Sequence, residues 1–459
     1  MLRAVPNLLE DAAPVRGRGV AVTPGRDGPL VFVGGDGEPN RLYAREGDAY
    51  VDTATGIVAD PDRHATCVVA ADLDADGCEE LYVHNADVDA GHTPETDLLL
   101  DRLERDRYRW TDAFALPVNR DRRNHRVGRA VAAVDRYGTG RYGVVVGCTD
   151  SPTRFYEVGD DGEVTDLAAA VGIEVEADVR SVVAAPVLTD GMDLFVGAAD
   201  GGNRLLCNDS GHFADAAGPS PANGAPVRAA TLVDEGDALA LVAATETGLE
   251  RYRPDGEGGL DSVPTPAFEG VTDVRSLTTA DLDNDGREEL FCATASGSNK
   301  LFARRGEPAD EGSRDWGRVD AGDAEAPARS AGATAVADLD DDGGVELLVL
   351  CDETARPPAL FECPVASERD WLRVRPTTQY DAPARGAVVR LRTTAGVQRR
   401  VVEAGCGSPG GSEPVAHFGL DGATPERLIV RWPDGREQAI EDPEPNVEHG
   451  VDHPVAPRF

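Results

Sequence analysis

The stretch "DLDADGCEEL" at Asp72–Leu81 recurs as "DLDNDGREEL" at Asp281–Leu290 and as "DLDDDGGVEL" at Asp338–Leu347. Each copy carries three carboxylates two residues apart, a glycine, and an acid just before an apolar run. Side chains at loop positions 1, 3, 5 and 9 are Asp72, Asp74, Asp76 and Glu80 in the first copy. They are Asp281, Asp283, Asp285 and Glu289 in the second, and Asp338, Asp340, Asp342 and Glu346 in the third. Alternate residues of a tight turn can converge on one centre, and the glycine at position 6 permits the bend. The carbonyls of Cys78, Arg287 and Gly344 at position 7 add a further oxygen. A flexible all-oxygen set suits calcium better than magnesium, which demands a tighter octahedron. The expectation is three Ca2+ ions. An EF-hand is excluded, because position 12 is Val83, Cys292 or Val349, inside an apolar strand.

Working outward, each acidic stretch separates two short apolar runs, and that arrangement belongs to a larger repeat. A unit opens with a run such as Ala65–Ala70, Arg129–Val134, Arg180–Ala184 or Arg275–Thr279. A turn, a second apolar run, a third run such as "NRLYAREG" (Asn40–Gly47) and a closing segment such as "FADAAG" (Phe213–Gly218) follow. Openings fall near residues 17, 64, 128, 179, 227, 274 and 331. Four short period-2 strands per unit of roughly 40–50 residues mark propeller blades. The fold expected is all-β, a seven-bladed β-propeller over 1–366, followed by a small β-sandwich or barrel-like domain over 367–453. The last unit lacks a closing segment, and "NLLEDAAPVRGRG" at Asn7–Gly19 resembles one. An N-terminal strand is therefore expected to complete the last blade and remove both sheet edges. The first, third, fourth and fifth units keep a turn but lack the ligands, as in "DRYGTGRYGVV" at Asp135–Val145. The ions are thus local staples and not a reaction centre.

Acids number 83 against 45 bases, for a net charge of -38, and Lys300 is the only lysine. An acidic, lysine-poor surface reads as adaptation to high salt, where screening blunts self-repulsion. It argues against nucleic acid, which needs a basic patch. The arginine-rich run Arg102–Arg126 is interleaved with Asp101, Glu104, Asp106, Asp112 and Asp121, as in a salt-bridged loop. Eight cysteines are scattered without a CxxC, so disulfides are permitted but not implied. "MLRAVPNLLEDAAPV" is not a secretory signal, and no apolar stretch is long enough to span a membrane. A cytoplasmic location and no membrane insertion are expected on those grounds.

The tail sharpens the picture. "GAVVRL" at Gly386–Leu391, "GCG" at Gly405–Gly407, "HFGL" at His417–Leu420 and "RLIVRWPDG" at Arg427–Gly435 resemble the ASPIC/UnbV domain of cartilage acidic protein-like proteins. The acidic loops resemble the calcium-binding FG-GAP or VCBS repeats of integrin alpha-chain propellers, with Glu at position 9 where Asp is usual. The resemblance implies an extracellular or cell-surface calcium-binding protein, the alternative to a cytoplasmic one, with no reaction assigned. Strands are expected at Trp371–Arg375, Ala387–Arg392, Gln398–Glu403, Arg427–Trp432 and Glu437–Ile440, with "WPDG" as a hairpin turn. His417 reads as a structural histidine, Trp432 as core or domain contact, and Cys406 as exposed but unactivated.

No nucleophile elbow, HExxH or phosphate loop is present. The leading reading is a non-enzymatic calcium-binding recognition module for an unidentified protein or saccharide, with the second-unit segment Asp87–Arg126 as a partner-specific feature. The alternatives are a hydrolase or lyase with a site in the propeller channel, and a structural or assembly protein.

Overall fold

The computed structural model describes residues 1–455 except 7, 10, 11, 88–92, 104–107, 150, 217, 220, 223, 237, 305–315, 326–330 and 406–409. Seven antiparallel sheets follow one another along the chain, each with a four-stranded path. Their first strands are Gly17–Pro24, Ala65–Ala71, Gly128–Val134, Val179–Ala185, Val227–Asp234, Val274–Ala280 and Ala331–Ala337. Valine and β-branched neighbours favour the pleated conformation, while alanine and glycine keep these strands slim where sheets approach. Gly147 and Gly197 sit at two such approaches. A Cβ there would lie 2.4 Å from Val179 Cγ1 and 2.6 Å from Val227 Cγ1, in the neighbouring sheet.

Each first strand packs beside the next one in order, and Ala331–Ala337 packs beside Gly17–Pro24. The apolar cores lie between consecutive sheets. Phe32 clusters with Leu81, Phe195 with Leu241, Phe302 with Val242, Phe291 with Leu347, and Val31 with Leu348. Full burial of each such side chain contributes about 1.5–3 kcal/mol. The seventh sheet takes its outermost strand from Arg3–Ala4, which pairs with Glu362 and Phe361. That pair precedes the Asn7–Gly19 segment singled out in the sequence.

Recurring polar residues serve as staples. Asn40 Oδ1 accepts from the Gly35 amide at 2.8 Å while its Nδ2 donates to the Val58 carbonyl at 3.1 Å. Asn203 does the same with Ala198 (2.8 Å) and Ala222 (2.9 Å), and Asn299 with Thr294 (3.1 Å) and Ala324 (3.0 Å). Each is buried, so its amide satisfies backbone groups that water cannot reach.

Residues 371–451 form two further sheets around one core of Leu372, Val389, Phe418, Val430 and Trp432. Trp371–Pro376 pairs with Ala416–Gly419 and, in parallel, with Glu448–Val451. Val388–Thr393 lies between Gly396–Val401 and Pro425–Arg431, and Glu437–Glu441 forms the edge. Trp432 is a core residue, and its Nε1 donates to the Thr377 carbonyl at 2.8 Å. The "WPDG" turn closes through the Gly435 amide on the Trp432 carbonyl at 2.9 Å, with Gly435 at φ +81.

Candidate metal centre

The three acidic stretches occupy the same hairpin in the second, sixth and seventh sheets. Register places Ala71 opposite Glu80, Ala280 opposite Glu289, and Ala337 opposite Glu346, so the position-9 glutamate is the first residue of each second strand. The first aspartate folds the turn. Asp72 accepts from the amides of Ala75 (2.7 Å) and Gly77 (3.1 Å). Asp281 accepts from Asp285 (3.0 Å) and Gly286 (2.9 Å), and Asp338 from Asp341 (2.8 Å) and Gly343 (3.2 Å). The glutamates reach back across the turn. Glu80, Glu289 and Glu346 accept through Oε2 from Leu73 (2.6 Å), Leu282 (2.9 Å) and Leu339 (2.7 Å).

Carboxylate oxygens of Asp72, Asp74 and Glu80 lie within 4.8 Å of one another. So do those of Asp281, Asp283 and Asp285, and those of Asp338, Asp340 and Glu346. These clusters could hold a divalent cation. Asp76, Asp342 and Glu289 stand outside those three groups. Asp76 and Asp342 accept from the amides of Cys78 and Gly344, each at 2.7 Å, and Asp285 from Arg287 at 2.8 Å. Those bonds fix the peptide planes at the three position-7 residues.

Burial and mutual repulsion dominate the electrostatics of the loops. Burial pushes the Asp72 carboxyl up to about 8, with Asp74 and Asp76 adding to the rise against the Ala75 and Gly77 amides. Burial, then Asp74 and Asp72, hold Glu80 well above the ordinary carboxylate range. Glu80 Oε1 is buried with no hydrogen-bond partner. Such an orphaned acceptor inside an all-oxygen cluster fits a hard cation. Burial and then the loop aspartates likewise raise Glu289, and burial dominates the rise at Glu346.

The C-terminal sheets rest on this end of the seven. Arg400 Nη2 lies 3.5 Å from Asp281 Oδ2, and the Gly419 amide donates to the same oxygen at 2.8 Å. Arg373 pairs with Asp338 and, at 2.7 Å, with Glu413. Arg385 binds Glu79 through two bonds of 2.5 and 3.0 Å and reaches the Val22 carbonyl at 2.9 Å. His417 Nε2 meets Asn284 Oδ1 at 2.6 Å. Burial, then Arg373 and Arg400, hold that imidazole well below its usual range. Through the Asn284 contact it joins a loop to the C-terminal sheets. Asp72 belongs to the one cluster with no such arginine on its first aspartate, among the described residues.

Sequence reading missed Asp101 and Glu362. Asp101 lies on the third strand of the second sheet, and burial with Asp74 and Asp76 pushes it up to about 6. Glu362 takes the matching place beside Asp340 and Asp342. Their position one residue beyond the paired apolar run was a usable signal. The segment Asp87–Arg126 is less separate than expected: Leu98–Arg102 and Trp110–Asp112 are outer strands of the second sheet, and Trp110 is buried. Its His92, Glu104 and Asp106 lie outside the described residues, as does Cys406; His125 is exposed. No disulfide joins the seven described cysteines to one another. No described helix is long and apolar enough to cross a membrane.

Comparison with known proteins follows the same division. Residues 377–458 match the family described as ASPIC and UnbV, and residues 281–349 match the FG-GAP-like repeat. Cartilage acidic protein 1 of Homo sapiens is 31% identical over 91% of this chain and 69% of its own. That of Xenopus tropicalis is 30% identical over 91% of this chain and 70% of its own. A crystal structure of a protein from Lactobacillus plantarum aligns with TM-score 0.45 and 16% identity, over 69% of this chain and 86% of that one. Repeated four-stranded sheets with acidic hairpins, ending in an ASPIC and UnbV segment, define a class of repeat-built all-β proteins. Within that class, this chain belongs to the cartilage acidic protein family. Membership overturns the cytoplasmic expectation and favours an extracellular location. That expectation rested on the start of a given sequence, which does not fix a compartment.

Proposed function

We propose that the chain is a calcium-binding, seven-bladed β-propeller over residues 1–366, its last blade completed by the N-terminal strand. A C-terminal β-sandwich domain over 367–453 follows, and the whole works as a non-enzymatic recognition module for a protein or a saccharide. Closure into a propeller is supported by the packing of the seventh first strand beside the first, and by one cavity lined from all seven sheets. The observation that carries the metal reading is the buried, partnerless Oε1 of Glu80 inside the Asp72–Asp74–Glu80 cluster. Three Ca2+ ions would be held by Asp72, Asp74, Asp76 and Glu80, by Asp281, Asp283, Asp285 and Glu289, and by Asp338, Asp340, Asp342 and Glu346. The Cys78, Arg287 and Gly344 carbonyls complete the sets.

A bound ion supplies positive charge to carboxylates that burial leaves unneutralised. The chain's own residues then keep the hairpins in one shape beneath the C-terminal domain. Arg373, Arg385 and Arg400 fix that domain to loops the ions stiffen, so calcium would govern how the two parts present a surface. The net charge of -38 suits a salt-rich medium. Calcium titration followed by thermal melting at fixed ionic strength tests the ion, with a saturable rise in Tm expected. A flat Tm across the titration rejects it. Pull-down from extract with and without chelator tests recognition, with calcium-dependent capture expected.

A further inference from the structure

The opposite end of the first strands carries the other sign of charge. In every one of the seven sheets the pairing of first and second strand slips near the start of the first strand. The residue passed over in the first six sheets is Arg18, Thr66, Arg129, Arg180, Arg228 or Arg275. In the seventh, Gly332 falls within the slip. A bulge re-aims the side chain it carries. Here the seven bulges aim at one place, because those residues line a single cavity of about 80 Å³ together with Val274 and Asp352. One water needs about 10–15 Å³ by this measure, so the space takes a small solute and no folded partner.

Three of the five guanidiniums are matched by acids. Arg18 lies 2.8 Å from Asp36, Arg180 2.7 Å from Asp178, and Arg228 3.9 Å from Glu246. Arg129 and Arg275 have no carboxylate partner among the described residues, and the Nε of each is buried without a hydrogen bond. Burial, then Arg180, Arg18 and Arg275, push the Arg129 guanidinium down to about 10. Two arginines without an ion pair thus line one cavity, against Asp352 in the same lining and Asp178, which acts on Arg129 from outside it.

We infer that this arginine cavity is a binding site for a tetrahedral oxyanion, sulfate or phosphate, either free or as the terminal group of a small sugar. Guanidinium forks match such oxygens, and a tetrahedral ion offers acceptors toward several blades at once, where a planar carboxylate offers one edge. The site lies apart from the calcium loops, and its test does not depend on them.

Isothermal titration of the full chain, with sodium sulfate, sodium phosphate and a monosaccharide 6-sulfate as separate arms at constant ionic strength, tests it. Saturable binding is expected in at least one arm, weakened tenfold or more in the Arg129→Gln, Arg275→Gln double variant. A free-ion site gives equal affinity for sulfate and the sugar sulfate; a terminal-group site favours the sugar. The Arg129→Lys, Arg275→Lys pair keeps the charge, removes the forks, and is expected to bind with intermediate affinity. It carries the test if the glutamine pair does not fold. Absence of saturable heat in all three arms overturns the inference, as does wild-type affinity in whichever folded variant is measured.

Discussion

The hairpins Asp72–Glu80 and Asp135–Gly143 hang from equivalent register pairs, Ala71 with Glu80 and Val134 with Gly143. Both begin with a buried aspartate that caps the turn. Asp135 accepts from the amides of Thr139 at 2.9 Å and Gly140 at 2.6 Å, as Asp72 does from its own two. They part company at the end. At Gly143 a Cβ would stand 2.6 Å from Phe155 Cζ, so an aromatic ring fills the space that Glu80 occupies in the other loop. The first aspartate therefore belongs to the fold. The acids that follow it are found only in the loop proposed to hold an ion.

That division can be broken or sharpened by four variants. The largest effect is expected from Arg373→Met, which leaves Asp338 buried without its cation and Glu413 with Arg375 alone. Loss of about 3–5 kcal/mol in chelator is expected, partly restored by calcium acting at Asp338. Urea unfolding in both conditions measures it, and equal loss in both would detach Arg373 from the ion site. Asp72→Ala removes a cap and a proposed ligand together. It should cost about 3 kcal/mol and shrink the calcium-induced Tm shift.

Asp135→Asn should cost about 1–2 kcal/mol and leave the calcium shift intact. Burial pushes Asp135 up to about 6 from 3.8, against its four backbone amides, so the folded state binds the proton more tightly. Its share of stability is full below pH 4 and is lost as pH rises through 6. The variant's deficit should therefore be largest near pH 4 and shrink toward 7, as read from melts across that range. The smallest and most diagnostic change is Glu80→Gln. Removing a buried acid that must either ionise or take up a proton should raise stability by about 1 kcal/mol in chelator and lower it in calcium. The same sign in both media would remove Glu80 from the ligand set.

Much of the architecture was readable because it repeats. Apolar runs of four to eight residues between glycine-rich turns marked the four-stranded sheets, and all five expected C-terminal strands lie within two residues of their observed bounds at each end. Gln398–Glu403 was set two residues late, and Ala416–Gly419 and Glu448–Val451 were missed. Both missed strands are short and pair with Trp371–Pro376 from far along the chain, so no local period announces them. The acidic hairpins were visible from spacing alone. The double duty of Asp72 was not, because Asp135 performs half of it inside "DRYGTG", where no ligand pattern draws notice. Arginine at the opening of the units was in plain view as Arg129, Arg180 and Arg275. Only a bulge, which is a matter of register between strands, turns those openings toward a shared cavity. Contacts such as Arg400 with Asp281 join residues too distant in sequence to be paired by inspection.

The seventh sheet draws its outer strand from Arg3–Ala4 and the first sheet gains Gly410–Gly411, so both junctions join remote parts of the chain. This has a consequence in time. At about 5–20 residues per second, Arg3–Ala4 leaves the ribosome roughly 20–70 seconds before Ala359–Glu362 exists to receive it. Pairings of such long range are slow to find even afterwards. During that interval the nascent molecule carries an open strand edge, and crowding by a second nascent copy is the hazard it must outlast.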